Sequence, residues 1–300
     1  MTTRQTASRK GSSAEIRVRF PPKRILVPMD LTEQSLEVWK QAQAVAGWFG
    51  ASVDAVHVQP WMNVTYAMAA AGGVPAPYLS QECLRECLER LRDELGPGVT
   101  VNSYAGDIED GIVSWARDGY DLLVMATHGR TGLERAVRGS IAEHVVRHSP
   151  IPVLVTRGKT QAVRTVLAPI SFEPESRAGL LAAAHAAERL KARLQVLHVV
   201  SGGLAGHASV RGLKKLMQDW VARLPERIRR SCDPKIELAF GSAPAQICEA
   251  AGRADLVVLT AHRQGLLSET VLGTVAERVL RHCPAPVLTI PALESEDEGA

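Results

Sequence analysis

The sequence predicts two consecutive α/β domains, each a five-stranded parallel sheet with helices on both faces. Three observations lead there. The chain repeats itself: ILVPM at 25–29 returns as VLAPI at 166–170, and His57 in AVHV returns as His198 in VLHV, both 141 residues later. Further on, YDLLVMATHGR (120–130) matches ADLVVLTAHRQ (254–264), and GSIAEHVVRHSPIPVLV (139–155) matches GTVAERVLRHCPAPVLT (273–289), both 134 residues later. A repeat this long is a duplicated domain and not a solenoid unit. Within each copy, short aliphatic runs alternate with longer amphipathic ones, and runs such as LLVMA and LVVLT are apolar throughout. Such strands are buried on both faces, and strand followed by helix requires right-handed crossovers and a parallel sheet.

In the first copy, strands are expected near 25–29, 52–58, 99–104, 121–126 and 152–156. Helices are expected near 33–49, 80–95, 108–118 and 140–148. In the second copy, strands are expected near 165–169, 193–199, 235–240, 255–260 and 286–290, and helices near 175–191, 209–230, 243–252 and 274–282. Gly50, Gly119 and Gly252 stand where helices should stop. The domain plan is a basic tail (1–21), a first domain (22–156), a polar linker (157–163), a second domain (164–291) and an acidic tail (292–300). The SPIPVLV and CPAPVLT strands are expected to face each other, making a dimer-like pair inside one chain.

Three hundred residues suit two such domains. With 46% hydrophobic and 22% charged residues the composition is that of a soluble globular chain, and a net charge of +3 is too small to imply nucleic acid. No stretch offers about 18 consecutive apolar residues for a membrane span. The run from Ala67 to Leu79 is broken by Gly72, Gly73, Pro75 and Pro77 and reads as part of a long loop over 60–79. The basic start has no hydrophobic stretch behind it. Five cysteines without framework spacing fit a reducing compartment, so the expected location is the cytoplasm. Cys83 and Cys87, four apart on one helix, are expected to be reduced thiols facing a core.

In an open parallel sheet, ligands bind beyond the carboxyl ends of the strands, where the strand order reverses. The richest segment there follows the fourth strand. It runs Met125-Ala126-Thr127-His128-Gly129, continues for nine residues, and reaches Gly139-Ser140 at the start of a helix. Glycines let backbone amides approach a phosphate, and a helix N-terminus opened by serine favours an anion. Arg130, Arg135 and Arg138 add positive charge.

Together with ILVPMD, the VHV strand, the Gly106-Asp107 turn and GSIAEHVVRHSPIPVLV, this segment resembles the universal stress protein domain. Members of that family that bind ATP carry Gly-x2-Gly-x9-Gly-Ser/Thr at this place. The resemblance spans roughly 22–156 and 163–290, as in tandem members. It implies two Rossmann-like domains of the adenine nucleotide alpha hydrolase-like type. It also implies an adenine nucleotide as ligand (ATP, with or without Mg2+) and an internal domain pair that is open to further homodimerisation. The protein partner is unknown, and neither nucleic acid nor membrane is expected.

Carried over residue by residue, Pro28, Met29, Asp30 and Val53 match the adenosine side. Met125, Ala126, His128, Gly129, Arg130, Gly139, Ser140 and Ile141 fall on the phosphate side. Ala126 departs from the pattern, replacing the first glycine. The second copy departs further: Ser171 replaces Asp30, Thr260 replaces the first glycine and Arg263 the second, leaving only Gly273-Thr274. A side chain at 263 fills space a phosphate needs, so the second domain reads as a packing partner without the family's site.

Plainer readings stand beside these. The 126–140 turn also fits a ligand-free strand-helix connection, and Asp30 or Thr32 also fits a helix cap. His57 and His198 read as sheet-end core histidines. His144, His148 and His282 read as surface or capping groups, with no zinc spacing. Arg223, Arg227, Arg229 and Arg230 read as a solvated helix end. There is no Walker A segment and no early GxGxxG, and no acid or nucleophile is evident beside His128, so any ATP hydrolysis should be slow. Three functions follow in order: a nucleotide-dependent stress-response switch, a nucleotide-free scaffold, and a weak ATPase.

Overall fold

A computed structural model describes residues 20–30, 33–60, 81–96, 99–126, 140–157, 162–201, 209–261, 263–264 and 271–292. The first half contains β1 (Arg24–Pro28), α1 (Glu33–Phe49), β2 (Ser52–Pro60), α2 (Gln81–Leu95), β3 (Val101–Gly106), α3 (Ile108–Ala116), β4 (Leu122–Ala126), α4 (Ser140–His148) and β5 (Val153–Thr156). The second half contains β6 (Thr165–Ile170), α5 (Ser176–Leu190), β7 (Arg193–Val200), α6 (Val210–Ala222), α7 (Glu226–Cys232), β8 (Lys235–Phe240), α8 (Ala243–Ala251) and β9 (Leu256–Ala261). A short ladder, β10 (Arg263–Gln264) with β11 (Val271–Leu272), precedes α9 (Thr274–His282) and β12 (Val287–Pro291).

Both halves use the same strand order, and they join edge to edge in one ten-stranded sheet, β3-β2-β1-β4-β5-β12-β9-β6-β7-β8. Pairing is parallel everywhere except at the seam. There β12 runs antiparallel to β5, with Leu288 opposite Leu154 and Val287 opposite Val155. The apolar strands explain this: Leu154 and Leu288 enter the core on one face of the sheet, while Val153, Val155 and Val287 enter the core on the other. Closing the two β5-type edges on each other leaves no aliphatic strand exposed at the centre of the molecule. The expected pairing of SPIPVLV with CPAPVLT is the observed seam. Helices α1, α2, α5, α6 and α7 cover the first face, and α3, α4, α8 and α9 the second.

The register is held by a device used twice. The Asp121 carboxylate accepts the backbone amides of Lys23 and Arg24 at 2.8 and 3.0 Å. Asp255 accepts those of Arg164 and Thr165 at 2.8 and 2.9 Å. Each aspartate ties the start of a half's first strand to the start of its fourth. At the opposite, carboxyl edge, His57 Nδ1 donates to the Met29 carbonyl at 2.8 Å and His198 Nδ1 to the Ile170 carbonyl at 2.9 Å. The proton therefore lies on Nδ1 in both rings.

One expectation needs correction. The single helix over 209–230 is two helices broken at Pro225. Proline has no amide to continue the ladder and disfavours helical geometry at Leu224. Arg223, Arg227 and Arg230 are exposed, as expected of a solvated helix end, and arginines of the set are also tethered. Arg229 donates to the Ala222 carbonyl at 3.1 Å, and Arg227 pairs with Glu188 at 2.9 Å. His144, expected as a surface or capping group, is part-buried and engaged. It pairs with Glu109 at 2.9 Å across the α3–α4 contact and stacks on His148 with ring centroids 4.0 Å apart. The side chains of Cys83 and Cys87, the 61–79 part of the long loop and residues 1–19 and 293–300 of the tails lie outside the described residues, while Phe20, expected in the basic tail, packs edge-on against Phe49 with ring centroids 5.4 Å apart.

Candidate functional site

The strand order reverses between β1 and β4, and that pairing sets Ile25 beside Leu122 and Leu26 beside Leu123. Continued to the carboxyl ends, the same register brings Pro28, Met29 and Asp30 alongside Met125 and Ala126. Met29 and Met125 are buried and anchor the two strand ends. The Met29 amide donates to the Val56 carbonyl at 2.8 Å. Thr156 Oγ1 donates to the Met125 carbonyl at 3.2 Å, which fixes β4 against β5. Asp30 then leaves the sheet half-exposed at the mouth of the crevice.

Helix α4 returns from this edge to the start of β5, so its first turn, Ser140 and Ile141, stands on the same side as Asp30. Ile141 packs against the second-face core, which orients that turn. A helix N-terminus at a strand-order reversal offers free amides and the positive end of the helix dipole. Glu143 near its start pairs with Arg281 of α9 at 2.9 Å and so leans toward the seam. Pro28, Met29, Asp30, Met125, Ala126, Ser140 and Ile141 are thus gathered at one edge. His128, Gly129, Arg130 and Gly139 lie outside the described residues.

Val53 does not join them. It pairs with Ile25, three residues before Pro28, near the amino end of β2. Pro28 pairs with Val56, so the residues of β2 at the ligand edge are His57 and Val58. Counting on from VHV would have found this, because His57 marks the carboxyl edge in both halves. The methyl of Ala126 is also accounted for: Ala126 packs on the same core as Val38 and Trp39 of α1.

The second half uses its corresponding groups internally. Ser171, at the place of Asp30, shares a hydroxyl contact of 2.9 Å with Ser176, and the Ser176 hydroxyl also accepts the Ser171 amide at 3.2 Å. Thr260, at the place of Ala126, donates to the Glu175 carbonyl at 3.2 Å ahead of α5. A Cβ added to Gly179 of α5 would meet Thr260 Oγ1 at 2.5 Å, so helix and strand are in close contact here. The following segment is drawn into an antiparallel ladder, with Arg263 opposite Leu272 and Gln264 opposite Val271. The backbone of its second strand, β11, runs beside α4 of the first half.

Among the described residues no three His, Cys, Asp or Glu side chains converge in a way that could hold a metal ion. No described helix is long and apolar enough to cross a membrane. Cys232, Cys248 and Cys283 are free thiols, and burial pushes Cys232 and Cys283 up to about 11.

Comparison with known proteins agrees with this architecture. The model of the universal stress protein family matches twice, over residues 21–157 and 162–291. The chain is 33% identical over 139 residues to universal stress protein MJ0531 of Methanocaldococcus jannaschii, covering 45% of this chain and 82% of that protein. A universal stress protein structure from Archaeoglobus fulgidus superposes with a TM-score of 0.63 at 17% identity, covering 91% of this chain and all of that one. A functionally unknown protein from Pseudomonas aeruginosa, PA1789, gives 0.61 at 18% identity, covering 91% and 93%. The last two show the fold alone. With both halves matched by one family model, the chain belongs to the universal stress protein family as a tandem, two-domain member.

Proposed function

We propose that the first half binds an adenine nucleotide, ATP, in the crevice between β1 and β4, and that occupancy works as a stress-response switch. The observation that carries this reading is the gathering of Pro28–Asp30, Met125–Ala126 and the start of α4 at one strand-order reversal. The residues fit the ligand in chemical type. A half-exposed carboxylate at Asp30 suits ribose hydroxyls, the apolar strand ends suit a base, and the first turn of α4 suits phosphate. The methyl of Ala126 is taken up by the core and so does not argue against it.

The second half is the pseudo-dimer partner and lacks a working site, since Ser171 and Thr260 are spent on their own helix. It is also the element that reads occupancy. Helix α4 carries the first half's share of the phosphate site and runs beside β11 of the second, so a shift at its N-terminus reaches the other domain there. The free thiols fit a reducing compartment, the cytoplasm.

Isothermal titration of the full chain with ATP tests this. Saturable binding is expected, weakened at least about tenfold, or ~1.4 kcal/mol, by Asp30→Ala. Absence of binding at millimolar ATP would leave the chain a nucleotide-free scaffold. Turnover lost in Asp30→Ala would instead make it a weak ATPase.

A further inference from the structure

A recess of about 160 Å³ lies between the two halves on the seam side of β5, where it is bordered by Thr156, whose hydroxyl bonds the Met125 carbonyl. Val45 and Trp48 of α1, Leu154 of β5, Leu256 of β9 and Pro284 before β12 supply apolar wall, and Arg157 closes the set where β5 leaves the sheet. The wall is mixed, since Gln41, Thr156 and Asp255 also line it, and a cavity of about this volume holds one benzene-sized ring.

Arg157 is the unusual member. One of its terminal nitrogens donates to the Leu280 carbonyl in the last turn of α9. Its Nε–H is buried and has no acceptor among the described residues. No carboxylate pairs with it among the described residues. The titratable groups beside it are Cys248 and Cys283, and burial raises both thiols so that they stay protonated and neutral at physiological pH. Asp255 also borders the recess, but its Oδ2 already accepts two backbone amides. A partly buried guanidinium with no counter-charge among the described residues is unfavourable, and a carboxylate in the recess would supply one through the terminal nitrogens.

We propose that this interdomain recess is a second binding site, independent of the nucleotide crevice, for a small carboxylate with a ring-sized apolar body held by Arg157. The apolar wall takes the body and the guanidinium takes the carboxylate. The ligand would bridge the two halves, because its walls come from both.

Benzoate is the probe, titrated into the full chain with and without saturating ATP and followed at the Trp48 indole resonance. Saturable, one-to-one binding in the millimolar range or tighter is expected, unchanged by ATP. Neutral benzamide should bind at least about tenfold more weakly. Arg157→Gln keeps a donor for Leu280 and removes the charge, so it should weaken benzoate at least about tenfold. Val163 also lines the recess, and Val163→Phe fills it while leaving Arg157 intact, so it should abolish binding. If Arg157→Gln fails to fold, benzamide and Val163→Phe decide the matter. Benzoate that does not saturate, that binds no better than benzamide, or that ignores Val163→Phe overturns the proposal. Benzoate displaced by ATP would place it in the crevice and overturn the proposal as well.

Discussion

Gly179→Ala tests how tightly α5 is clamped over the end of β9. The added methyl would lie 2.5 Å from Thr260 Oγ1 and 3.3 Å from the Thr260 amide nitrogen. The hydroxyl cannot stay where it is. Rotating it away gives up the 3.2 Å bond to the Glu175 carbonyl, a loss of about 0.5–1.5 kcal/mol. The amide contact then requires a shift of a few tenths of an ångström in a packed helix–strand interface, and overpacking of this kind costs about 1–3 kcal/mol. Alanine returns about 1 kcal/mol of helix propensity. The net is a destabilisation of about 1–2 kcal/mol, a fall in Tm of about 2–4 °C per kcal/mol for a chain of this size. In a Thr260→Ala background the hydroxyl is gone and only the milder amide contact remains. There the same substitution should be neutral or stabilising by up to about 1 kcal/mol. A double-mutant cycle by urea unfolding of the full chain should give a coupling of about 2 kcal/mol. Equal cost in both backgrounds, or a Gly179→Ala protein as stable as the parent, would refute the close approach of α5 to Thr260.

Asp121→Ala removes the acceptor for two strand-entry amides and should destabilise by about 2 kcal/mol by urea unfolding, with Asp255→Ala doing the same in the second half; a loss below about 0.5 kcal/mol in both would dismiss the register device. Burial pushes the Cys232 and Cys283 thiols up to about 11 in the fold, against an ordinary value of 9.0. Between those values the unfolded chain has released protons that the folded chain keeps. Their contribution is therefore full below pH 9.0 and is lost as pH rises through about 11. Stability should fall across that window, and alkylation of these two thiols in the native protein should be slow at pH 8 and fast after denaturation, a rough bracket set by thiolate fraction. Stability that rises through the window, or equal alkylation rates, would contradict the buried placement.

The strands were legible because aliphatic runs without alternation have few other homes in a chain of this length. The seam was legible because SPIPVLV and CPAPVLT are too apolar to be left as edges. Register was not. In a sheet buried on both faces no alternation marks which end of a strand faces the ligand, and so Val53 was expected where His57 and Val58 stand. The helix break at Pro225 was written in the sequence, yet the amphipathic pattern runs through it. The β10–β11 ladder had no signal, since two-residue strands have no periodicity. Asp121 and Asp255 stood in the repeated YD and AD pairs, but nothing local shows that their carboxylates reach amides about ninety residues away in sequence. Ala126 read as a defect in a glycine pattern. Its packing against the α1-face core becomes visible only once α1 is placed over β4.

The asymmetry between the two crevices is the central claim, and native mass spectrometry of the full chain in millimolar ATP tests it most directly. One nucleotide per chain is the result this account requires, with occupancy lost in Asp30→Ala. Two per chain would show that Ser171 and Thr260 leave the second crevice usable, and none would show that the first crevice is no nucleotide site.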